Sequence, residues 1–149
     1  MSRVLPWLVL VVLVLAIGAS IAWRALPEEE AEPDVRSLRL EVVNGSGTPR
    51  AGRAVADELQ MRGLDVYAVR TESRRAARTA VVDLREHDGR NAKSVARVLS
   101  VQRHWRKLPL GPRYAPDTRV EIDSARYLEV RLVVGDDYRI FFPNVVPLY

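Results

Sequence analysis

The chain has 149 residues, room for one domain and its attachments but not for two independently folding enzymatic domains. It contains no cysteine, which excludes a disulfide framework, a thiolate metal site and thiol catalysis. Its two histidines, His87 and His104, leave little for a histidine-based centre, and neither a metal nor a cofactor is expected. The net charge of +4 arises from 23 basic and 19 acidic residues, and 21 of the 23 are arginine, a bias that a GC-rich genome explains as readily as a ligand.

Hydrophobicity is concentrated at the start. From Val4 to Trp23 twenty residues pass without a charge, and at about 1.5 Å per residue they cover about 30 Å, the thickness of a bilayer's hydrocarbon core. Residues 1–24 are therefore expected to form a single-pass transmembrane anchor. Pro6 falls in the first turn, where its missing N–H is harmless, and Trp7 and Trp23 mark the two interfaces. Arg3 and Arg24 balance across the span, so orientation rests on the very short N-terminal tail. That tail reads as a signal anchor, with a cytoplasmic N-terminus and the bulk of the chain extracytoplasmic. The alternative is a cleaved signal peptide with Ser20-Ile21-Ala22 as an imperfect site, which exports the domain equally.

Residues 25–37 (ALPEEEAEPDVRS) hold Pro27, Pro33 and five carboxylates, the composition of an extended, solvated linker. Residues 38–149 then carry 20 basic against 14 acidic side chains, a net of +6. Such a domain at a membrane meets acidic envelope polymers and anionic head groups.

Leu38–Val43 alternates and ends in an apolar pair, predicting a strand. The Asn44-Gly45-Ser46-Gly47 turn leads into a helix from Ala51 to Arg62, with Ala51, Val55 and Leu59 on its core face, joined by Ala54 and Ala56, and Gly63 as its stop. A second strand follows over Asp65–Arg70, with Val66 and Ala68 on one side and Tyr67 and Val69 on the other. Thr71–Arg78, carrying Arg74, Arg75 and Arg78, reads as a loop or short helical turn. Thr79–Leu84 is a third strand. His87-Asp88-Gly89 turns into a second helix, with Asp88 or Asn91 as its cap and Ala92, Val95, Ala96 and Leu99 as its buried stripe. Val101–Ser124 is basic, proline-containing and irregular, with a short strand suggested at Val120–Ile122. Tyr127–Val134 is the clearest strand, Gly135-Asp136-Asp137 a turn, and Tyr138–Phe142 a further short strand. The fold class expected is α+β: a small mixed sheet of βαββαβ order, a split βαβ, with two helices on one face.

Leu40-Glu41-Val42-Val43-Asn44-Gly45-Ser46-Gly47, followed by Ala51-Gly52, Val55-Ala56-Asp57-Glu58-Leu59 and Arg62-Gly63-Leu64-Asp65-Val66, resembles the C-terminal domain of the LytR/CpsA/Psr cell-envelope proteins of bacteria. Thr79–Val82, Asn91–Leu99 and Val130–Asp137 look like that domain's later strand, helix and final strand-Gly-x-Asp element. The resemblance covers about 100 residues of the domain at 38–149, and its first third is the specific part. The basic segment at 101–124 departs from it as an insertion, and Arg139–Tyr149 runs past the usual end. The glycopolymer-transferring catalytic domain of the full-length family has no counterpart in the sequence, so the resemblance implies a non-enzymatic accessory module.

Two candidate ligand sites follow from the residues. The Asn44, Gly45, Ser46, Gly47 turn joins a strand to a helix, where free N–H groups hold an anion, and Arg50 and Arg53 add charge; the competing reading is a tight turn capped by Asn44 or Ser46. Arg103, Trp105, Arg106 and Lys107 combine cations with an aromatic ring, suited to sugars and phosphates, against a solvated loop whose tryptophan packs inward. Asp136 with Asp137, and His87 with Asp88, read as turns. The function expected is a membrane-anchored envelope accessory protein that binds peptidoglycan, an anionic envelope glycopolymer or an envelope protein. The alternative is a structural subunit of a membrane complex without glycan recognition. An exported domain does not meet nucleic acid, so no nucleic-acid partner is expected.

Overall fold

Strand β1 (Arg39–Asn44), helix α1 (Ala51–Met61) and strand β2 (Asp65–Thr71) form one βαβ unit, in which β1 and β2 are parallel neighbours with Arg39 opposite Asp65. Strand β3 (Ala80–Asp83), helix α2 (Arg90–Leu99) and strand β6 (Asp117–Val120) form a second, with Ala80 opposite Asp117. Between α2 and β6, strands β4 (Val101–Gln102) and β5 (Arg113–Tyr114) pair with each other as an antiparallel ribbon. The last strand, β7 (Val130–Val134), runs parallel to β1 and antiparallel to β3, so the five-stranded order is β2-β1-β7-β3-β6. These assignments come from a computed structural model that describes residues 7, 9–10, 12–17, 33–102, 113–123 and 125–146.

This sheet is mixed, as expected, but the βαβ is not split: β1 and β2 are adjacent, and β7 enters between the two units. The basic segment is also more than an insertion, because β6 within it closes the second unit. Parallel neighbours need a crossover, and α1 and α2 supply them. Crossovers are almost always right-handed. The second unit reverses both strand direction and the side on which the sheet grows, and the two reversals cancel, so both helices lie on one face.

That face carries the main core. Leu40 and Val42 of β1, Val81 of β3, and Val130, Leu132 and Val134 of β7 pack with Ala51, Val55, Ala56 and Leu59 of α1 and Ala92, Val95, Ala96 and Leu99 of α2. The helical stripes are thus those the spacing predicts. Each Val or Leu fully buried there stabilises by about 1.5–3 kcal/mol. In β2 the register shifts opposite Leu40 and Glu41, which leaves Tyr67 as the extra residue, 71% exposed. The shift turns both Val66 and Val69 toward the core, where strict alternation would have separated them.

Three local expectations are corrected, the first being the short strand suggested at Val120–Ile122, which lies instead at Asp117–Val120. Tyr138–Ile140 is a 3-10 turn, not a strand; Tyr138, Phe141, Phe142 and Val145 use this compact segment to join the core. Helix α2 is not capped by Asp88 or Asn91, since Gly89 stands before it in the left-handed region. The acceptor is Asp83 at the end of β3, wholly buried, which takes the N–H of Ala92 at 3.1 Å and those of Arg85 and Glu86 at 3.0 and 2.8 Å. A carboxylate there satisfies an orphan donor and complements the helix dipole. Asp88 instead accepts from the Arg90 N–H at 3.1 Å, a bond that holds its carboxyl below the ordinary aspartate range.

The expected anchor, residues 1–24, lies mostly outside the described residues. Its described members, Trp7, Val9, Leu10 and 12–17, are helical with exposed side chains. Among the described residues no helix is long and apolar enough to cross a membrane. Residues 1–32 and 33–149 form separate compact units.

Phe142 has no exposed surface, and the Arg62 guanidinium lies 5.4 Å from its ring centroid. Phe142→Ala is expected to lower stability by roughly 3–5 kcal/mol, read as a lower urea midpoint for the full chain in detergent; an unchanged midpoint would show that the tail does not belong to the cooperative core.

Candidate anion-binding face

The side of the sheet away from the helices is built from the alternate residues of the same strands. Glu41, Ala80, Val82, Arg119, Arg131 and Val133 occupy these positions, with Val82 opposite both Arg131 and Arg119, and Ala80 opposite Val133. Leu84 and Leu128 pack with Val82 and Val133 as a small second cluster. Among the described residues of 33–149 no helix covers the rest.

Glu41 sits at the centre of this face and is fully buried. Taking a lone carboxylate out of water costs several kcal/mol unless cations and hydrogen bonds replace the solvent, and three guanidiniums do so. Arg131 Nε donates to Oε2 at 3.0 Å, Arg126 Nη1 reaches Oε2 at 3.3 Å, and Arg70 Nε stands 2.9 Å from Oε1. Only Oε1 lacks a well-aligned hydrogen bond. Arg131 is held a second time through Nη1 on Glu121 at 3.3 Å. Asp123 pairs with Arg126 at 3.2 Å, so that with Glu41 and Glu121 the three guanidiniums are balanced by three carboxylates.

Beside it opens a cavity of about 760 Å³, lined on one side by Arg74, Arg75 and Arg78, on the other by Arg119 and Arg131, and floored by Ala80, Val82 and Val133. Glu72 and Glu121 are the acidic residues in the lining. Arg75 and Arg78 are paired only at long range, with Asp136 at 3.8 Å and Asp117 at 3.9 Å, all four side chains being substantially exposed. Such pairs are worth about 0–1 kcal/mol and exchange readily for another anion. The side chains of Arg74 and Arg119 make no ion pair or hydrogen bond among the described residues.

The arginine loop is anchored at three points by the two motifs that flank it in space. The Glu72 N–H donates to the Asn44 carbonyl at 3.0 Å, and the Ala76 N–H to that of Gly45 at 2.8 Å. On the other side the Asp136 N–H donates to the Ala76 carbonyl at 2.9 Å, while Asp137 Oδ1 accepts both the N–H and the hydroxyl of Thr79 at 2.6 Å. Gly135 allows this approach, because a Cβ there would overlap the Arg78 carbonyl carbon and the Thr79 nitrogen. Gly52 has a related role: a Cβ would lie 2.7 Å from that of Asn44, so only glycine lets the first turn of α1 close on β1. The loop therefore presents its cations from a backbone that is already ordered.

The predicted ligand residues divide accordingly. Asn44 and Ser46 are buried and commit their side chains to the turn: Asn44 Oδ1 accepts from the Ser46 N–H and hydroxyl at 3.2 and 2.8 Å, Asn44 Nδ2 donates to the Thr48 carbonyl at 2.9 Å, and the Ser46 hydroxyl accepts from the Thr48 N–H at 3.2 Å. Gly45 and Gly47 touch the arginine loop, Gly47 against the Arg75 guanidinium. Arg50 and Arg53 line a separate groove of about 420 Å³ with Met61 and Val146, and Arg53 is paired with Asp57 at 3.2 Å. Arg103, Trp105, Arg106 and Lys107 lie outside the described residues. Asp136 and Asp137 form the expected turn, which serves as a clamp. Residue patterns alone did not single out Glu41, Arg119 and Arg131; their signal was charge at the non-core positions of strands, which only strand order brings together.

Glu41→Ala is expected to cost roughly 1–3 kcal/mol, because it takes a partner from the largely buried Arg131 guanidinium while Arg70 and Arg126 turn to water, whereas Glu121→Ala, at the rim, is expected to cost under about 1 kcal/mol; equal urea midpoints for the two would dissolve the distinction. Asp137→Ala is expected to cost about 1–3 kcal/mol by leaving the Thr79 donors unmatched, and with Gly135→Ala to speed amide exchange at Ala76 and Thr79. Exchange at the native rate in both variants would show that the loop is held elsewhere.

Comparison with known proteins bears on the whole of this domain. No curated protein and no solved structure matches the chain. Residues 37–138 match the family model described as LytR cell envelope-related transcriptional attenuator, a span that takes in β1 through β7, the Asn44 turn and the Gly135–Asp137 clamp. With more than two thirds of its length inside that match, the chain belongs to the LytR C-terminal domain family, a cell-envelope-related family.

Proposed function

We propose that this chain is a membrane-tethered accessory protein of the cell envelope, without a catalytic role, whose extracytoplasmic domain binds an anionic cell-wall glycan. The observation that carries the reading is the gathering of five arginines around one cavity on the open face. Paired guanidiniums match the oxygens of phosphate and carboxylate in forked geometry. Envelope polymers are rich in both groups.

Support for the tether is compositional: residues 4–23 carry no charge, and the described residues among them are helical, from Trp7 at 72% exposure to Ile17 at 52%. On this reading the N-terminus is cytoplasmic, and Arg103, Trp105, Arg106 and Lys107 remain candidate ligand residues by their composition. A second reading, an assembly subunit, is favoured by the outer edge of β2. That strand pairs with β1 alone among the described residues and displays Tyr67, an arrangement suited to strand addition by a protein partner.

Purified peptidoglycan with its covalently attached polymers is expected to pellet the full chain from detergent solution, and progressively less as salt is raised, since screening weakens exposed ion pairs. Absence of pelleting at every ionic strength would overturn glycan binding, and crosslinking of one defined protein to β2 in membranes would then establish the assembly reading.

A further inference from the structure

We infer that the open-face cavity takes a polymer carrying repeated oxyanions, laid across β3 and β7 with successive charged groups against two opposing arginine walls. The inference rests on the glycan-binding reading and adds to it a site and a ligand class.

Three features of the lining lead to this. First, the cations form two sets of different origin: Arg74, Arg75 and Arg78 on the clamped loop, and Arg119 and Arg131 on strands β6 and β7. A single oxyanion is satisfied by one set, so two sets facing one space suit an anion that recurs along a chain. Second, the floor between them is aliphatic, formed by Ala80, Val82 and Val133, of which Ala80 and Val82 are 3% and 5% exposed. Such a floor accepts the C–H groups of a polyol or sugar backbone between its charges. Third, among the described residues no aromatic lines the cavity. Neutral sugars and nucleobases are generally gripped by stacking on aromatic faces, so recognition here falls to charge, and a neutral glycan lacks what the walls offer. The volume, about 760 Å³, is that of a pocket for a drug-sized ligand and exceeds what one phosphate or carboxylate fills.

Occupation is also inexpensive electrostatically. Arg75 and Arg78 exchange distant, solvated aspartates for ligand oxygens, and Arg131 is already positioned by Glu41 and Glu121. Glu41 is thus a positioning residue, acting on the ligand through Arg131.

The test uses the full chain in detergent micelles with three fluorescent probes: inorganic polyphosphate, oligogalacturonate and neutral dextran. Binding of at least one acidic polymer and not of dextran is expected; polyphosphate alone narrows the class to phosphate, oligogalacturonate alone to carboxylate. Arg74→Ser with Arg119→Ser, one from each wall, is expected to weaken the bound polymer at least tenfold, the loss of about one charge-assisted hydrogen bond. Arg36→Ser with Arg53→Ser removes the same charge away from the cavity and is expected to change affinity under about twofold. Equal losses from the two pairs would mean diffuse attraction and overturn the inference. Failure of both acidic polymers to bind, while peptidoglycan still pellets the chain, would overturn the site and leave the glycan reading standing; loss of pelleting as well would remove both. Urea midpoints for the two double variants exclude misfolding as the cause.

Discussion

Strand β7 must satisfy two neighbours that run in opposite directions, and the rest of the molecule is arranged around that requirement. It continues β1 in parallel and β3 in antiparallel register, so it joins two βαβ units that otherwise share no strand pairing. Its side chains alternate between the helix-covered core and the open face. A one-residue slip would exchange Leu132 for Arg131 in the core, so register is strongly specified. Because β7 is central, the turn that follows it is fixed too, and Gly135, Asp136 and Asp137 hold the loop that carries Arg74, Arg75 and Arg78. Sheet register thereby places charges more than fifty residues away in sequence.

Much of this was legible in the sequence. Period-3.6 stripes located α1 and α2 and named their buried residues, because both helices bury one face only. The Asn44-Gly45 and Gly135-x-Asp137 elements were recognisable as family features, although their purpose was not: each meets the other through residues 72–79, a contact that no local pattern encodes. The Tyr67 bulge and the turn at Tyr138 defeated simple alternation for a related reason, since tertiary packing decided which residues faced inward. Strand β6 lay hidden in a segment whose prolines and arginines read as irregular, and its pairing with β3 is a long-range contact. The candidate site was the least legible part. Glu41 and Arg131 each looked like an ordinary outward-facing strand residue, and only their adjacency across β1 and β7 makes a buried ion cluster.

The two faces of the sheet solve their exposure in different ways. On the helix side, apolar residues interlock and water is excluded by packing. On the other side, Leu84 and Leu128 pack with Val82 and Val133, and beside them arginines and glutamates line the cavity. Among the described residues of 33–149 both helices lie on the opposite face, which leaves this one accessible.

That solution has an energetic cost which bears on function. A buried carboxylate under three guanidiniums contributes less to stability than well-packed apolar residues of similar volume would. A face that needed only covering would be better served by aliphatic side chains or by another helix. Here the fold retains Glu41 in a dry position and surrounds it with Arg70, Arg126 and Arg131, while the cavity beside it is lined by five arginines against two glutamates. Internal stability does not require that surplus. On the proposed reading an anionic partner from outside the chain does, and it would meet cations whose backbone is already ordered, so that little backbone entropy remains to be lost on binding.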